Sequence, residues 1–261
     1  MLKTRLLSAL IGISAIFLII YAGGIFWQGF VLLLGLIAYY EYLQMMGKSQ
    51  YKPLIIPGYL LLLFMLFSYQ AEQWLYPGIF FLIIIFVIDS VLKYPQLTVV
   101  DSGLSFFGAF FIGFLLSFAM RMTDFQNESL VILLALLLTW ASDTGGYFGG
   151  RFFGKHKLAP LLSPNKTWEG AIGSIVLTII TAVLFFLLTE METDFWAYVI
   201  LLGILASISA QFGDLFISGM KRYFAVKDTG RIIPGHGGIL DRFDSFLLVA
   251  PLVFCYCLLF I

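Results

Sequence analysis

Charged residues are scarce in this chain: Asp, Glu, Lys and Arg together make up 11% of its 261 residues, whereas soluble domains contain about 25%. Hydrophobic residues make up 61%, and the mean hydropathy is +1.00. These proportions exclude an ordinary water-soluble domain and indicate a membrane protein. The formal net charge is zero, so no bulk electrostatic attraction to nucleic acid is expected.

Cysteine and histidine are also rare, with two of each. Cys255 and Cys257 are two residues apart within an apolar run and therefore lie on different faces of a helix, so neither a disulfide nor a metal-binding pair is indicated. Cys and His ligands for zinc do not occur at a useful spacing. The chain also lacks a P-loop and a dinucleotide-binding fingerprint. The sequence therefore gives no indication of a zinc site or of these two nucleotide-binding motifs.

Long apolar runs dominate what remains. A helix crosses about 30 Å of hydrocarbon with about 20 apolar residues. We therefore expect an all-α, polytopic integral membrane protein with nine transmembrane helices, at about 6–22, 25–41, 54–70, 74–92, 103–120, 129–149, 169–188, 195–218 and 243–261. The first run also has the basic start of a signal peptide, but it is long for such a segment and continues almost directly into the second run.

The basic residues sort to one side when the connections are assigned alternately from a cytoplasmic N-terminus. Only Arg121 then falls outside, and the other 14 of the 15 Lys and Arg lie inside. Short loops rich in Lys and Arg resist translocation. The split predicts a cytoplasmic N-terminus, an odd number of helices and a C-terminus on the outer side.

The chain divides into two regions by the placement of its polar residues. We expect residues 1–128 to form about five transmembrane helices, and residues 129–261 to form a catalytic transmembrane region. Two polar connections of that region, 150–169 and 219–242, fall on the cytoplasmic side and can share one site.

Two apolar runs of the catalytic region carry polar stripes at helical spacing. One stripe consists of Ser207, Gln211, Asp214, Ser218 and Lys221, and the other of Thr139, Asp143, Gly146 and Gly150. The glycines of the second stripe allow another helix to approach closely. A carboxylate within a span is a functional candidate by default, although Asp143 and Asp214 could instead be hydrogen-bond partners between helices. We interpret Glu41 and Asp89, near the ends of other spans, as interfacial and structural.

The segment from Ser218 to Asp244 concentrates five basic residues, three aspartates, five glycines and one histidine in 27 positions. Its sequence PGHGG exposes backbone N–H groups and leads into the N-terminus of the last helix, where an anion such as phosphate is favoured. Carboxylates nearby would repel phosphate unless a cation lay between them, and Mg²⁺ fits that requirement. The candidate ligands are Asp214 and Asp241, with Asp143 and Asp244 as further candidates.

Structural interpretations remain open for several of these residues. Asp241 could cap the last helix. The five Lys and Arg residues of the segment from Ser218 to Asp244 could serve only as a topology signal, or they could attract anionic lipid. His236 could be a loop-packing residue.

The segment from Ser218 to Asp244 resembles the signature of phosphatidate cytidylyltransferases, also called CDP-diacylglycerol synthases. The matching positions are Ser218, Lys221, Arg222, Lys227, Asp228, Gly230, Pro234, His236, Gly237, Gly238, Asp241, Arg242 and Asp244. Upstream blocks are similar as well, at Ser142-Asp143-Thr144, Tyr147, Gly154-Lys155 and Ser163 to Gly170. The resemblance covers about 139–245, with Gly146 where alanine is expected.

The resemblance implies an enzyme that joins CTP and phosphatidate into CDP-diacylglycerol and pyrophosphate, working as a homodimer in the cell membrane with its site at the cytoplasmic face. It implies Mg²⁺, with room for a second cation, on Asp214 and Asp241. Lys221, Arg222, Lys227 and Arg242 would act on the phosphates. The implied substrate-binding residues are Ser163, Asn165, Lys166, Thr167, Ser218, His236, Gly237 and Gly238.

Two other functions use similar groups. A CTP-dependent lipid kinase of the polyprenol type would need comparable metal and phosphate chemistry. An ion or phosphate transporter would also carry carboxylates and basic residues within the membrane. The polar cluster at one face, and the absence of paired broken helices in the sequence pattern, favour an enzyme over a transporter.

Overall fold

The computed structural model describes residues 2–189, 191, 193, 195–232 and 237–261, with side chains from residue 11 onward. The all-α prediction is confirmed, because nine α-helices account for most of these residues. They are α1 (Leu2–Ala22), α2 (Gly24–Lys48), α3 (Ile55–Phe67), α4 (Leu75–Leu92), α5 (Val99–Arg121), α6 (Glu128–Phe153), α7 (Trp168–Leu188), α8 (Trp196–Tyr223) and α9 (Leu240–Phe260).

Short elements join some of these helices. Two 3₁₀-helices span Ser68–Trp74 and Met122–Asp124. An antiparallel hairpin, β1 (Lys157–Ala159) and β2 (Ser163–Thr167), pairs Lys157 with Thr167. The hairpin lies in the 150–169 connection, which the sequence pattern did not show to contain strands.

Seven helical stretches in the described part of the chain are long and apolar enough to cross a membrane. One of them, Ile55–Leu92, contains both α3 and α4. The 3₁₀-helix between them is interrupted at Ala71, whose φ of −146° and ψ of 67° are not helical. A Cβ on Gly78 would lie 2.1 Å from the Phe64 ring, so α4 packs directly against α3. The apolar part of α1, Ile11–Ala22, is shorter than the seven.

The chain forms two compact units, and the first contains Met1–Arg121 and Tyr223–Arg242. Its interior joins α2 to α5 through buried aromatic side chains. Trp27 Nε1 donates to the Ala119 carbonyl at 2.7 Å, and Tyr39 OH donates to the Ser105 carbonyl at 3.1 Å. Each ring thus buries its apolar surface while its polar atom is satisfied.

The second unit contains Met122–Arg222 and Phe243–Ile261. Its α6 and α7 pack with their backbones in contact, since a Cβ on Gly145 would lie 2.5 Å from the Gly173 carbonyl oxygen. A Cβ on Gly146 would lie 2.8 Å from Ser174 Oγ. The predicted close approach along the glycine stripe of α6 is confirmed. The domain boundary at 128/129 stays a prediction, and residues 223–242 belong to the first unit rather than the second.

The count of nine spans and the sidedness remain predictions that cysteine labelling can check. In a background lacking Cys255 and Cys257, we expect cysteines at Lys48 and Lys227 to resist a membrane-impermeant thiol reagent in intact cells and to react after permeabilisation. Both positions are exposed in the structure, so protection would come from the membrane. A cysteine at Gln126, between α5 and α6 and also exposed, should react without permeabilisation. Labelling of position 48 or 227 in intact cells would contradict the topology.

Candidate active site

An ion pair between Lys166 and Asp214 lies at the centre of the candidate site in the second unit. Lys166 Nζ lies 2.6 Å from Asp214 Oδ2, and both side chains are partly buried. Lys166 belongs to β2 and Asp214 to α8. Gly213 brings α8 against α9, because a Cβ there would lie 2.5 Å from the Asp244 carbonyl oxygen. The hairpin, α8 and α9 therefore converge at Asp214.

The polar stripe predicted on α8 is present as a series of contacts along the helix. Ser218 Oγ donates to Asp214 Oδ1 at 3.2 Å, and Gln211 Nε2 donates to Ser207 Oγ at 3.0 Å. Gln211 also donates to the Ala171 carbonyl on α7 at 3.3 Å. Ser218, predicted to bind substrate, is buried and positions the Asp214 carboxylate in this structure.

Asp214 forms an acidic cluster with two further aspartates, Asp143 and Asp244. Asp244 on α9 is buried and interacts electrostatically with Asp214 and Asp143, which repel it, and with Lys221, which attracts it. Ser245 Oγ donates to Asp143 Oδ1 at 3.4 Å. Three of the four predicted metal ligands are therefore brought together in one unit. Among the described residues, no three His, Cys, Asp or Glu side chains are arranged to hold a metal by themselves, so a cation here would need further oxygen ligands from water or substrate phosphates.

The hairpin connection is anchored to the start of α7. Thr167 is buried and caps this helix, with its Oγ1 accepting from the Gly170 N–H at 3.1 Å. Glu169 accepts from the Lys155 N–H at 3.0 Å, and its Oε1 lies 2.7 Å from His156 Nδ1. Thr167 was predicted to bind substrate, whereas its contacts here are those of a helix cap. Asn165 is exposed and Ser163 partly buried on the same strand.

The two basic residues at the end of α8 have different contacts. Arg222 Nε donates to the Leu162 carbonyl at 3.4 Å. Lys221 is partly buried and is the residue that interacts with Asp244. The second unit thus brings Lys166 and Lys221 to its acidic cluster, and Arg222 to the hairpin.

The remaining predicted residues belong to the first unit. Asp241 Oδ2 accepts from the Thr229 N–H at 2.9 Å and from the Gly238 N–H at 3.4 Å, and it lies 3.0 Å from Thr229 Oγ1. The two backbone donors precede α9 (Leu240–Phe260), so these contacts are not those of a cap on that helix. The role of Asp241 as a metal ligand stays a prediction. Gly237 has a φ of +87°, which favours glycine.

The other predicted site residues of the first unit differ in how exposed they are. Lys227 and Arg242 are exposed, and Gly238 is buried. His236 lies outside the described residues.

The sequence did not show how deeply Glu41 is buried or that it contacts the start of α9. It was interpreted as interfacial, but it is 1% exposed and accepts from Thr229 Oγ1 at 2.9 Å, the Ile239 N–H at 3.0 Å and the Leu240 N–H at 2.8 Å. These hydrogen bonds agree with the structural part of that interpretation. A carboxylate inside an apolar helix that continues to Lys48 was the signal available in the sequence.

Residues 3–260 match the model of the cytidylyltransferase family, which is nearly the whole chain. The chain belongs to the cytidylyltransferase family. Similar proteins named phosphatidate cytidylyltransferase occur in Staphylococcus epidermidis, 38% identical, and in Staphylococcus haemolyticus and Staphylococcus aureus, each 37% identical. Each alignment covers 97% of this chain and 97% of the relative.

The arrangement around Asp214 contains two kinds of group that can interact with a nucleoside triphosphate. The cations of Lys166 and Lys221 can bind phosphate oxygens, and the carboxylates can hold a divalent cation. The described contacts of Asp214 are to Lys166 and Ser218, and they position the carboxylate rather than activate it as a base.

Proposed function

We propose that this chain transfers the cytidylyl group of CTP to phosphatidate, giving CDP-diacylglycerol and pyrophosphate for phospholipid synthesis. The observation that carries the proposal is the Lys166–Asp214 pair within the acidic cluster of α6, α8 and α9. The chain that contains it matches the cytidylyltransferase family over residues 3–260. The relatives named phosphatidate cytidylyltransferase supply the lipid substrate.

The residues of the acidic cluster fit a magnesium ion. Asp214 and Asp143 both repel Asp244, which is 8% exposed, so the cluster favours added positive charge. Asp214 would hold the ion with Asp143 or Asp244, and the resemblance adds Asp241. Bound Mg²⁺ would neutralise negative charge on the CTP phosphates, to which it coordinates together with one or two carboxylates.

The transfer itself needs little from the protein beyond positioning. The phosphate of phosphatidate loses its second proton near pH 6, by analogy with other phosphate monoesters, so its oxygen is an ionised nucleophile at neutral pH. A bond forms between this oxygen and the α-phosphorus of CTP, the bond from the α-phosphorus to the bridging oxygen breaks, and pyrophosphate leaves. Lys166 and Lys221 would bind the phosphates and stabilise the charge that develops on the leaving group.

The membrane placement follows from the two substrates. Phosphatidate keeps its acyl chains in the lipid, and its headgroup must meet water-soluble CTP, which we infer happens at the cytoplasmic face of a bacterial cell membrane. The basic asymmetry supports this side. We also infer a homodimer, which rests on the resemblance alone.

Labelled CTP tests which phosphorus moves. With purified protein, Mg²⁺ and phosphatidate, we expect label at the α-position to enter the lipid product and label at the γ-position to leave as pyrophosphate. The same reaction without phosphatidate serves as the control and should give no labelled lipid. Label from the γ-position in lipid would indicate a lipid kinase instead. Label in neither product, from folded protein with Mg²⁺, would contradict both enzymatic functions and favour a transporter.

A further inference from the structure

Glu41 is the most buried of the carboxylates that the structure describes, with 1% of its surface exposed. It lies on α2, far in sequence from the polar segment at the start of α9. A buried carboxylate is costly unless hydrogen bonds satisfy its oxygens. Its position therefore depends on the donors around it.

The donors come from the segment that carries the family signature. Glu41 Oε1 accepts from the Ile239 N–H at 3.0 Å, and Oε2 accepts from the Leu240 N–H at 2.8 Å and from Thr229 Oγ1 at 2.9 Å. The first N–H groups of a helix have no partner within that helix, and they form its positive end. Glu41 thus supplies the start of α9 with a negative charge and two acceptors from another helix.

Glycines leave room for this carboxylate. A Cβ on Gly230 would lie 2.2 Å from Glu41 Oε1, and a Cβ on Gly238 would lie 2.5 Å from Glu41 Oε2. Neither position could hold a side chain without moving the carboxylate or the turn. The two glycines and Glu41 therefore form one closely fitted arrangement.

Thr229 connects Glu41 to Asp241. Its hydroxyl oxygen is 2.9 Å from Glu41 Oε2 and 3.0 Å from Asp241 Oδ2, and its N–H donates to the same Asp241 oxygen at 2.9 Å. Thr229 has no exposed surface. Movement of the Glu41 carboxylate would therefore move Thr229 and, with it, Asp241.

We propose that Glu41 is a positioning residue for cytidylyl transfer, which holds Thr229, Gly238 and Asp241 in the arrangement that binds CTP and its divalent cation. The proposal rests on the proposed function. Glu41 acts through Thr229, Gly238 and Asp241, and its substitution should raise the CTP and Mg²⁺ concentrations that the enzyme requires. Preorganisation of this kind is lost when a supporting residue is removed, even if the fold survives.

Glu41→Gln in the full-length chain, purified in detergent with phosphatidate, is the first test. The amide has one accepting oxygen, so its nitrogen would face a backbone N–H and the turn would shift. We expect kcat/KM for CTP to fall at least about 30-fold and the half-saturating Mg²⁺ concentration to rise at least about threefold, per folded protein. Glu41→Asp, which keeps the charge, should recover part of both losses.

Asp101 provides the matched control, since it is also a buried carboxylate that caps a helix in the first unit. It accepts from the Lys52 N–H at 2.8 Å, the Thr98 N–H at 2.8 Å and Thr98 Oγ1 at 2.7 Å, at the start of α5. Asp101→Asn should lower stability while leaving kcat/KM and the Mg²⁺ requirement within about threefold of wild type. If Glu41→Gln behaves in the same way, its role is only structural and the proposal is overturned.

A second pair of variants keeps the test decisive if Glu41→Gln does not fold. Thr229→Val removes the bridging hydroxyl at nearly constant volume, and Thr229→Ser retains it. We expect the valine variant, and not the serine variant, to raise the Mg²⁺ requirement. Equal Mg²⁺ requirements in the two would overturn the proposal. Failure of the wild-type protein to make CDP-diacylglycerol would instead overturn the proposed function, and this inference with it.

Discussion

Asp214→Asn should lower CDP-diacylglycerol synthesis at least about 100-fold, or ~2.7 kcal/mol in the activation barrier, while the protein remains folded. Asp214 receives Lys166 Nζ on one oxygen at 2.6 Å and Ser218 Oγ on the other at 3.2 Å. Asparagine keeps the shape but removes the charge that pairs with Lys166 and that would hold a divalent cation. The measurement is incorporation of α-labelled CTP into lipid at saturating Mg²⁺.

Asp89→Asn is the control for this prediction. Asp89 Oδ1 also lies 2.7 Å from a lysine, Lys93, but the pair joins residues i and i+4 on one helix end, with the Lys93 side chain 54% exposed. Exposed pairs of this kind contribute only about 0.3–0.5 kcal/mol. We expect its activity to stay within about twofold of wild type. If Asp214→Asn kept more than about a tenth of wild-type activity, Asp214 would not be an essential ligand.

The parts of the site that lie on regular helices were predictable from the sequence. Ser207, Gln211, Asp214 and Ser218 recur every three or four residues, and the contacts of α8 follow that spacing. Helical period is a local property, so it can be read without knowing the fold. The convergence of Asp143, Asp214 and Asp244 depends on how three helices pack, which helical period does not show. These aspartates were candidate metal ligands because carboxylates beside a phosphate site require a cation between them.

The contacts that join distant parts of the chain were not predictable in the same way. Thr229 and Glu41 are 188 residues apart, and no periodic pattern relates them. Glu41 was visible as a carboxylate at the end of an apolar run, but its partners depend on how α2 packs in the first unit.

The local structure of the 150–169 connection was missed for a different reason. Strands of three and five residues, β1 and β2, are too short for an alternating pattern to be distinguished from a loop. Thr167 does have a recognisable local signal, because it stands directly before the apolar run of α7 and threonine is a common N-cap. The resemblance drew attention to the same residue as a substrate contact, and the structure shows the cap.

Gly145→Ala is expected to have the largest effect on folding. A Cβ at this position would lie 2.5 Å from the Gly173 carbonyl oxygen and 2.9 Å from its carbonyl carbon. These are backbone atoms of α7, so α6 and α7 must separate to admit a methyl group. Overpacking of this kind costs about 1–3 kcal/mol or more, and helix association in a membrane depends on such close packing. We expect unfolding at a clearly lower SDS fraction in mixed micelles.

Gly103→Ala and Gly173→Ala make the cause of that loss identifiable. Gly103 lies on α5, and a Cβ there would meet no atom within 4 Å, so its alanine variant should unfold like wild type or slightly later, because alanine favours the helix by up to ~1 kcal/mol.

A Cβ on Gly173 would lie 2.7 Å from the Gly145 carbonyl oxygen, and this variant should lose as much stability as Gly145→Ala. Since both substitutions separate the same two helices, the double variant should cost less than the two single losses added together. Stability of Gly145→Ala equal to that of Gly103→Ala would show that α6 and α7 do not depend on backbone contact at these glycines.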